Sequence, residues 1–362
     1  MASRGTRLAA LGGAALALGV LGVACAPAPS APPGGASGEG SAPATAGAAS
    51  AAPAASAAPA LVSLRVAYTA LGASFAPAWI AHELGLFAEQ GLASELTLIG
   101  STEANQALVA GDLDILTAGA NSAVEPALAG ADTVLLGSFM STLEQTLVTL
   151  PTITRAEQLR GAKIGVAGAR GAVATGVRLQ VRALGLDPQR DITVVALGNP
   201  GARLAGMAAG VIDGAALSPP ATLEARRAGY FFWDDVPGVA AVDFVSSTAV
   251  SRRAIVAERR DLLLRALRAL ATAAAIQKTD RERSFPVLAK YLETNDPDAL
   301  EETFAIYTTR LTPDLRPRGR GLETVLEFAD HPDAKNHRPE EFVDLSLVDD
   351  LEREGFFATL PR

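Results

Sequence analysis

The sequence has one cysteine and three histidines in 362 residues. A single cysteine excludes any disulfide within the chain. Two of the histidines stand in the Pro-broken stretch His331-Pro332-Asp333-Ala334-Lys335-Asn336-His337, a poor frame for a metal, and no metal site is expected. His82 lies beside Glu83 on what reads as the solvent face of a helix. The motifs of common catalysts are also missing: no G-x-S-x-G, no Walker A and no G-x-G-x-x-G, with Gly165 to Gly171 a near miss at the wrong spacing. No cofactor is expected. Positive charge is in deficit, 31 Lys and Arg against 39 Asp and Glu, for a net −8. Such a surface suits neither nucleic acid nor an anionic bilayer. After residue 60 no run is long and charge-free enough to span a membrane.

The N-terminus differs from the rest. Arg4 and Arg7 precede the uncharged stretch Leu8 to Ala24, which reads as a secretory leader over residues 1–24. Its removal takes the formal charge from −8 to −10. Cys25 follows at once, an arrangement that resembles bacterial lipoproteins, whose cysteine is lipidated and becomes the mature N-terminus. The same residues allow plain secretion with cleavage at Ala24-Cys25-Ala26. Residues 26–60 are almost entirely Ala, Pro, Ser and Gly, with Glu39 the one charge. They bury too little to offset their ordering entropy, so 25–60 reads as a tether. The expected protein is exported and held at the membrane, in the periplasm or on the cell surface, only through that N-terminal lipid.

The body echoes itself 99 residues apart: Ala110-Gly111-Asp112-Leu113-Asp114-Ile115-Leu116 returns as Ala209-Gly210-Val211-Ile212-Asp213-Gly214-Ala215, and Ala129-Gly130 returns as Ala228-Gly229. In each copy a helix should stop at the glycine, which tolerates the left-handed conformation of a helix C-terminus. An Asp then leads into a short buried strand. A repeat this long suggests two similar lobes rather than a solenoid. Two α/β lobes facing across a cleft make a ligand clamp.

Strands are expected at Val62–Tyr68, Glu95–Ile99, Thr133–Ser138, Lys163–Ala167 and Ile192–Leu197, with extended segments at Tyr230–Asp235 and Val242–Val250. Helices are expected over Ala76–Glu89, Thr102–Ala110, Ala123–Ala129, Ala172–Leu184 and Glu258–Gln277, then around Phe285–Leu292, Ala299–Tyr307 and Leu322–Phe328. Leu262, Leu263, Leu264, Leu267 and Leu270 form one apolar helix face, hence core, and Trp79 also reads as core. This alternation predicts mostly parallel sheets covered on both faces.

Four segments in order carry a resemblance. They are Pro77 to Leu92, Ala107-Leu-Val-Ala-Gly-Asp-Leu-Asp114, Leu159-Arg-Gly-Ala-Lys-Ile-Gly-Val166 and Ala209-Gly-Val-Ile-Asp-Gly-Ala-Ala-Leu-Ser-Pro219. Together they resemble the solute-binding proteins of ABC importers for nitrate, sulfonates, taurine and thiamine-pyrimidine precursors, over about residues 62–330. The resemblance implies a type II periplasmic-binding-protein fold with two crossovers. Lobe 1 would comprise 61–140 and 246–362, and lobe 2 would comprise 141–245. It implies a monomer that captures a small organic solute, an anionic or heteroaromatic one being compatible, and delivers it to an ABC permease.

Ligands of open α/β sheets sit beyond the carboxyl ends of the strands. The candidate contacts are therefore Thr69, Ser74 and Phe75; Asn121 and Ser122; Met140 and Ser141; Arg170, Gly171 and Thr175; and Ser218 and Pro219. Ser74 and Ser122 could instead be helix caps, Asn121 a turn residue and Arg170 a solvated charge. Ala172, Val173 and Ala174 follow Gly171 where the family often has a hydroxyl, which disfavours a small oxyanion and favours a ligand with an apolar part. The alternative is an enzyme of the related pyrimidine-precursor or menaquinone-precursor type, but no cysteine-rich motif and no acid–base set supports it.

Overall fold

The computed structural model describes residues 60–169, 171–233, 242–329 and 331–361. The leader, Cys25, the tether up to residue 59, Arg170 and the end of the segment expected at Tyr230–Asp235 lie outside them.

The first sheet contains β1 (Val62–Tyr68), β2 (Leu92–Leu98), β3 (Ile115–Ala118) and β4 (Thr133–Thr142). The second contains β5 (Thr146–Thr149), β6 (Ala162–Val166), β7 (Ile192–Ala196), β8 (Gly214–Leu217) and β9 (Phe231–Phe232). The last strand, β10 (Asp243–Arg252), returns to the first sheet. The orders are β2-β1-β3-β10-β4 and β7-β6-β8-β5-β9. In each sheet one strand, β10 or β5, runs against the other four. The two sheets thus share one plan, and the chain crosses between them twice.

The echo lies at the same place in both. β3 sits parallel beside β1, and β8 parallel beside β6. The Asp before each strand ties the two together. The Asp114 N–H donates to Arg65 O, and its carboxylate accepts the Arg65 N–H, both at 2.9 Å. Asp213 does the same with Lys163, at 2.9 and 2.8 Å. Gly111 and Gly210 hold φ +88° and +68°, the left-handed turn that ends each preceding helix.

Helices cover both faces. The first lobe carries α1 (Ala76–Glu83), α2 (Leu86–Glu89), α3 (Ser101–Ala110) and α4 (Asn121–Leu128). The second carries α5 (Ala172–Ala183), α6 (Pro200–Ala208) and α7 (Ala221–Arg227). The chain then adds α8 (Arg253–Glu258), α9 (Arg260–Thr279), α10 (Arg281–Tyr291), α11 (Pro297–Arg310), α12 (Gly321–Glu327) and α13 (Ser346–Arg353) to the first lobe. The helix expected over Ala76–Glu89 is broken at Gly85, whose φ is +72°. The leucine face of α9 packs on α1 as core, with Leu264 only half-buried. Trp79 is also core, stacked on Tyr291 with ring centroids 4.7 Å apart. His82 is half-buried and bonds Ser94 Oγ through Nδ1 at 2.8 Å. The sequence reading missed β5, α7, α8 and α13.

Candidate functional site

The loops after β1, β2 and β3 in the first sheet and after β6 in the second lead to a cavity of about 670 Å³. From the first lobe it receives Thr69 and Ala70 after β1, Phe75 before α1, and the first turn of α3 from Ser101 to Glu103. The start of α4 adds Asn121, Ser122 and Glu125, and β10 adds Ser246. From the second lobe come Ala167 to Ala169 after β6 and Gly171 to Val173 at the start of α5. Glu144 and Gln145, in the first crossover, stand between them.

The lobes touch where Gly119 meets the first residue of α5. A Cβ on Gly119 would lie 2.6 Å from the Ala172 Cβ, so only glycine allows this approach. At the surface Arg182 of α5 bonds Glu327 of α12 at 3.0 Å and stacks over Phe328. Both partners of that ion pair are about half exposed, and it adds little.

Several polar atoms around the cavity are buried without a hydrogen-bond partner: Asn121 Oδ1, Asn105 Oδ1, Ser246 Oγ and, just behind Phe75, Ser74 Oγ. Asn121 Nδ2 donates to Glu125 Oε1 at 3.3 Å, which fixes its carbonyl oxygen as the unpaired end. An unmade buried hydrogen bond costs about 1–3 kcal/mol, so this concentration marks a place prepared for something else to bind.

Glu144 is held tightly. Its Oε1 accepts the Tyr307 hydroxyl at 2.8 Å and its Oε2 accepts Gln145 Nε2 at 2.7 Å. Burial, reinforced by this carboxylate, pushes the Tyr307 hydroxyl well above the ordinary tyrosine value. The Glu144 charge also acts on Arg203 of α6, which is 2% exposed. Its Nε donates to Asn199 O at 3.3 Å, while Nη1 has no partner. Burial lowers its pKa to about 10, against the pull of Glu144, and it stays charged at neutral pH.

Of the residues singled out from sequence, Thr69, Phe75, Asn121, Ser122 and Gly171 line the cavity together. Ser74 is fully buried, its backbone oxygen accepting the Ser247 hydroxyl at 2.7 Å. Thr175 donates to Gly171 O at 3.1 Å, bracing the turn. Met140 packs in the core of the first lobe. Ser141 Oγ accepts the Arg318 N–H at 2.9 Å and faces a different cavity, of about 790 Å³, among Lys278, Arg310 and Arg318. Ser218 and Pro219 are buried at the end of β8, outside the lining. Arg170 is not among the described residues.

Glu103, Asn105, Glu125, Glu144, Gln145 and Ser246 were missed. Glu144 had a signal: it is the one charged residue between Asp132 and Arg155. Among the described residues no three His, Cys, Asp or Glu side chains are grouped to hold a metal ion, and no helix is long and apolar enough to cross a membrane.

No curated protein matches the sequence, but solved structures share the fold. A protein of Bordetella bronchiseptica RB50 superposes with a TM-score of 0.71 at 17% identity, covering 81% of this chain and 98% of its own. The alkanesulfonate-binding protein SsuA of Xanthomonas axonopodis pv. citri, bound to MOPS, gives 0.62 at 20% identity, covering 81% and 98%. The desulfurization enzyme DszB gives 0.52 at 18% identity, covering 81% and 99%. Two mixed five-stranded sheets with two crossovers are the type II periplasmic-binding-protein fold, which serves binding proteins and at least one enzyme. Residues 57–290 match the NMT1-like family, and with more than half of its length inside that match the chain belongs to this family.

Proposed function

We propose that the chain is an extracytoplasmic solute-binding protein. It clamps a small organic solute between two lobes, 61–140 with 246–362 and 141–245, and delivers it to the permease of an ABC importer. The observation that carries this reading is the cavity of about 670 Å³ lined from both lobes, with unpartnered buried polar atoms around it. The SsuA likeness supports it, because that protein is a binding protein with a small molecule bound. Thr69, Phe75, Asn121, Ser122 and Gly171 are the direct contacts in this account, with Arg170 beside them in sequence. Closure follows from contacts made by both lobes to one ligand.

The test is small-angle scattering of the chain before and after dialysis against the small-molecule fraction of a cell extract. Capture predicts a smaller radius of gyration, reversed on exhaustive dialysis. An unchanged radius counts against the reading. DszB keeps the enzyme alternative in view, and a captured molecule that emerges altered would favour it. Export through the leader and lipidation of Cys25 belong to the same proposal. Cys25→Ser should then lose incorporation of a labelled fatty acid, and equal labelling of both forms would contradict it.

A further inference from the structure

We propose that α7 and α11 form a charged latch between the lobes, and that this latch sets how long a captured solute is held. The inference rests on the clamp reading and adds to it residues that do not touch the solute.

The two helices belong to different lobes. α7 packs on the second sheet, where Ala221 and Ala225 share a core with Val148, Ala215 and Leu217. α11 packs on α9, with Leu300 and Tyr307 in the core of the first lobe. Polar side chains bridge the two helices. Arg227, in the last turn of α7, forks over two carboxylates of α11. Its Nη1 donates to Asp296 Oδ2 at 2.7 Å, and its Nη2 to Asp298 Oδ2 at 3.0 Å. In the first turn of α7, Thr222 Oγ1 donates to Glu302 Oε2 at 3.2 Å. Arg226 Nε stands 3.9 Å from the other oxygen of Glu302. Thr222 and Arg226 are four residues apart, as are Asp298 and Glu302, so each helix presents one face to the other.

The acceptor of Arg227 is fixed within its own lobe. Asp296 caps α11, its Oδ1 accepting the Asp298 N–H at 2.9 Å while Oδ2 takes the guanidinium. The charges also suit the helix ends that carry them. Arg226 and Arg227 stand at the C-terminus of α7, and Asp296 and Asp298 at the N-terminus of α11, so neither set opposes its dipole. An isolated exposed pair is worth little, but an arginine forked over two carboxylates in a charge network is the exception. The Arg227 side chain is half exposed and Asp298 mostly so, and dissolved salt reaches both without disturbing the core. None of these side chains lines the cavity of about 670 Å³. Contacts made only while the lobes are together favour the closed arrangement, and they strengthen apparent affinity without touching the solute.

The experiment uses the full chain, loaded by dialysis against the small-molecule fraction of a cell extract. Mass spectrometry then follows loss of the retained molecule after dilution into low salt or into about 1 M salt, where the screening length falls to about 3 Å. Wild type should release it about threefold faster in high salt. Arg227→Gln should release it about threefold faster than wild type in low salt, respond less to added salt and keep the wild-type melting temperature. Asp298→Asn, also at an exposed position, should act in the same direction. Arg190→Gln, which breaks an exposed pair with Asp187 inside the second lobe, should match wild type. Release indifferent to salt in wild type, or no faster from Arg227→Gln, would overturn the latch and leave the clamp reading intact. So would faster release from an Arg227→Gln chain that also melts lower, because the contact would then serve packing. If no molecule is retained under any condition, the clamp reading itself fails, and the latch with it.

Discussion

Asp114 and Asp213 occupy equivalent places in the echo and do the same backbone work, yet their side chains differ in worth. Asp114 is 1% exposed and also pairs with the Arg65 and Arg259 guanidinium groups. Asp213 accepts only the Lys163 N–H among the described contacts. Asp114→Asn should therefore cost about 2–3 kcal/mol, since it strands two cations beside a buried polar group. Asp213→Asn should cost about 1 kcal/mol. Denaturant melts of the two variants check the ranking, and equal losses would refute it. Burial opposes ionisation of Asp114, but the Arg65 hydrogen bonds and the Arg259 charge prevail and hold its carboxyl below the usual range. Its stabilisation is present above the ordinary carboxylate pKa and is lost as pH falls through the lower, folded value. Wild type should thus lose more stability than Asp114→Asn on acidification below about pH 4. The aspartates were legible in the sequence as part of a repeat. The partner Arg259 was not, because it lies 145 residues away at the start of a helix that adds to the first lobe late in the chain.

At the scale of elements, the contact between the loop after β3 and the start of α5 sets how closely the lobes approach. Gly119→Ala would place a methyl group 2.6 Å from the Ala172 Cβ, about 1 Å inside ordinary contact. Because Ala172 moves with its own lobe, the expected response is a wider cleft rather than a damaged core. Solute affinity should fall by about tenfold, roughly 1.4 kcal/mol, with little change in melting temperature. Ala172→Gly added to Gly119→Ala should restore it. A large drop in melting temperature, or no rescue, would show that the contact serves packing instead. Element types were readable wherever a periodic run was long, as in α9 and β1. They were not where a four-residue strand such as β5 exists only because β8 and β9 flank it. The break at Gly85 shows the same limit: one glycine that takes a left-handed turn divides an otherwise continuous helical pattern.

For the whole molecule, two copies of one strand order place the loops of both sheets around one cavity, and that architecture was legible from the 99-residue echo. The site was legible only in part. Thr69, Phe75, Asn121, Ser122 and Gly171 follow from the rule that ligands sit beyond strand ends. Glu144 comes from a crossover and Ser246 from the returning strand β10, whose positions depend on how two distant segments meet. Arg203 shows where the repeat misleads, since 99 residues earlier stands the small core residue Ala104. The account's central claim is that this cavity holds one solute and releases it unchanged. Native mass spectrometry of the freshly purified chain tests it most directly. The account predicts one small molecule per chain, recovered intact on unfolding and absent or much reduced in Gly119→Ala. A chain that carries no small molecule, or one that converts its bound molecule into a product on incubation, would contradict it.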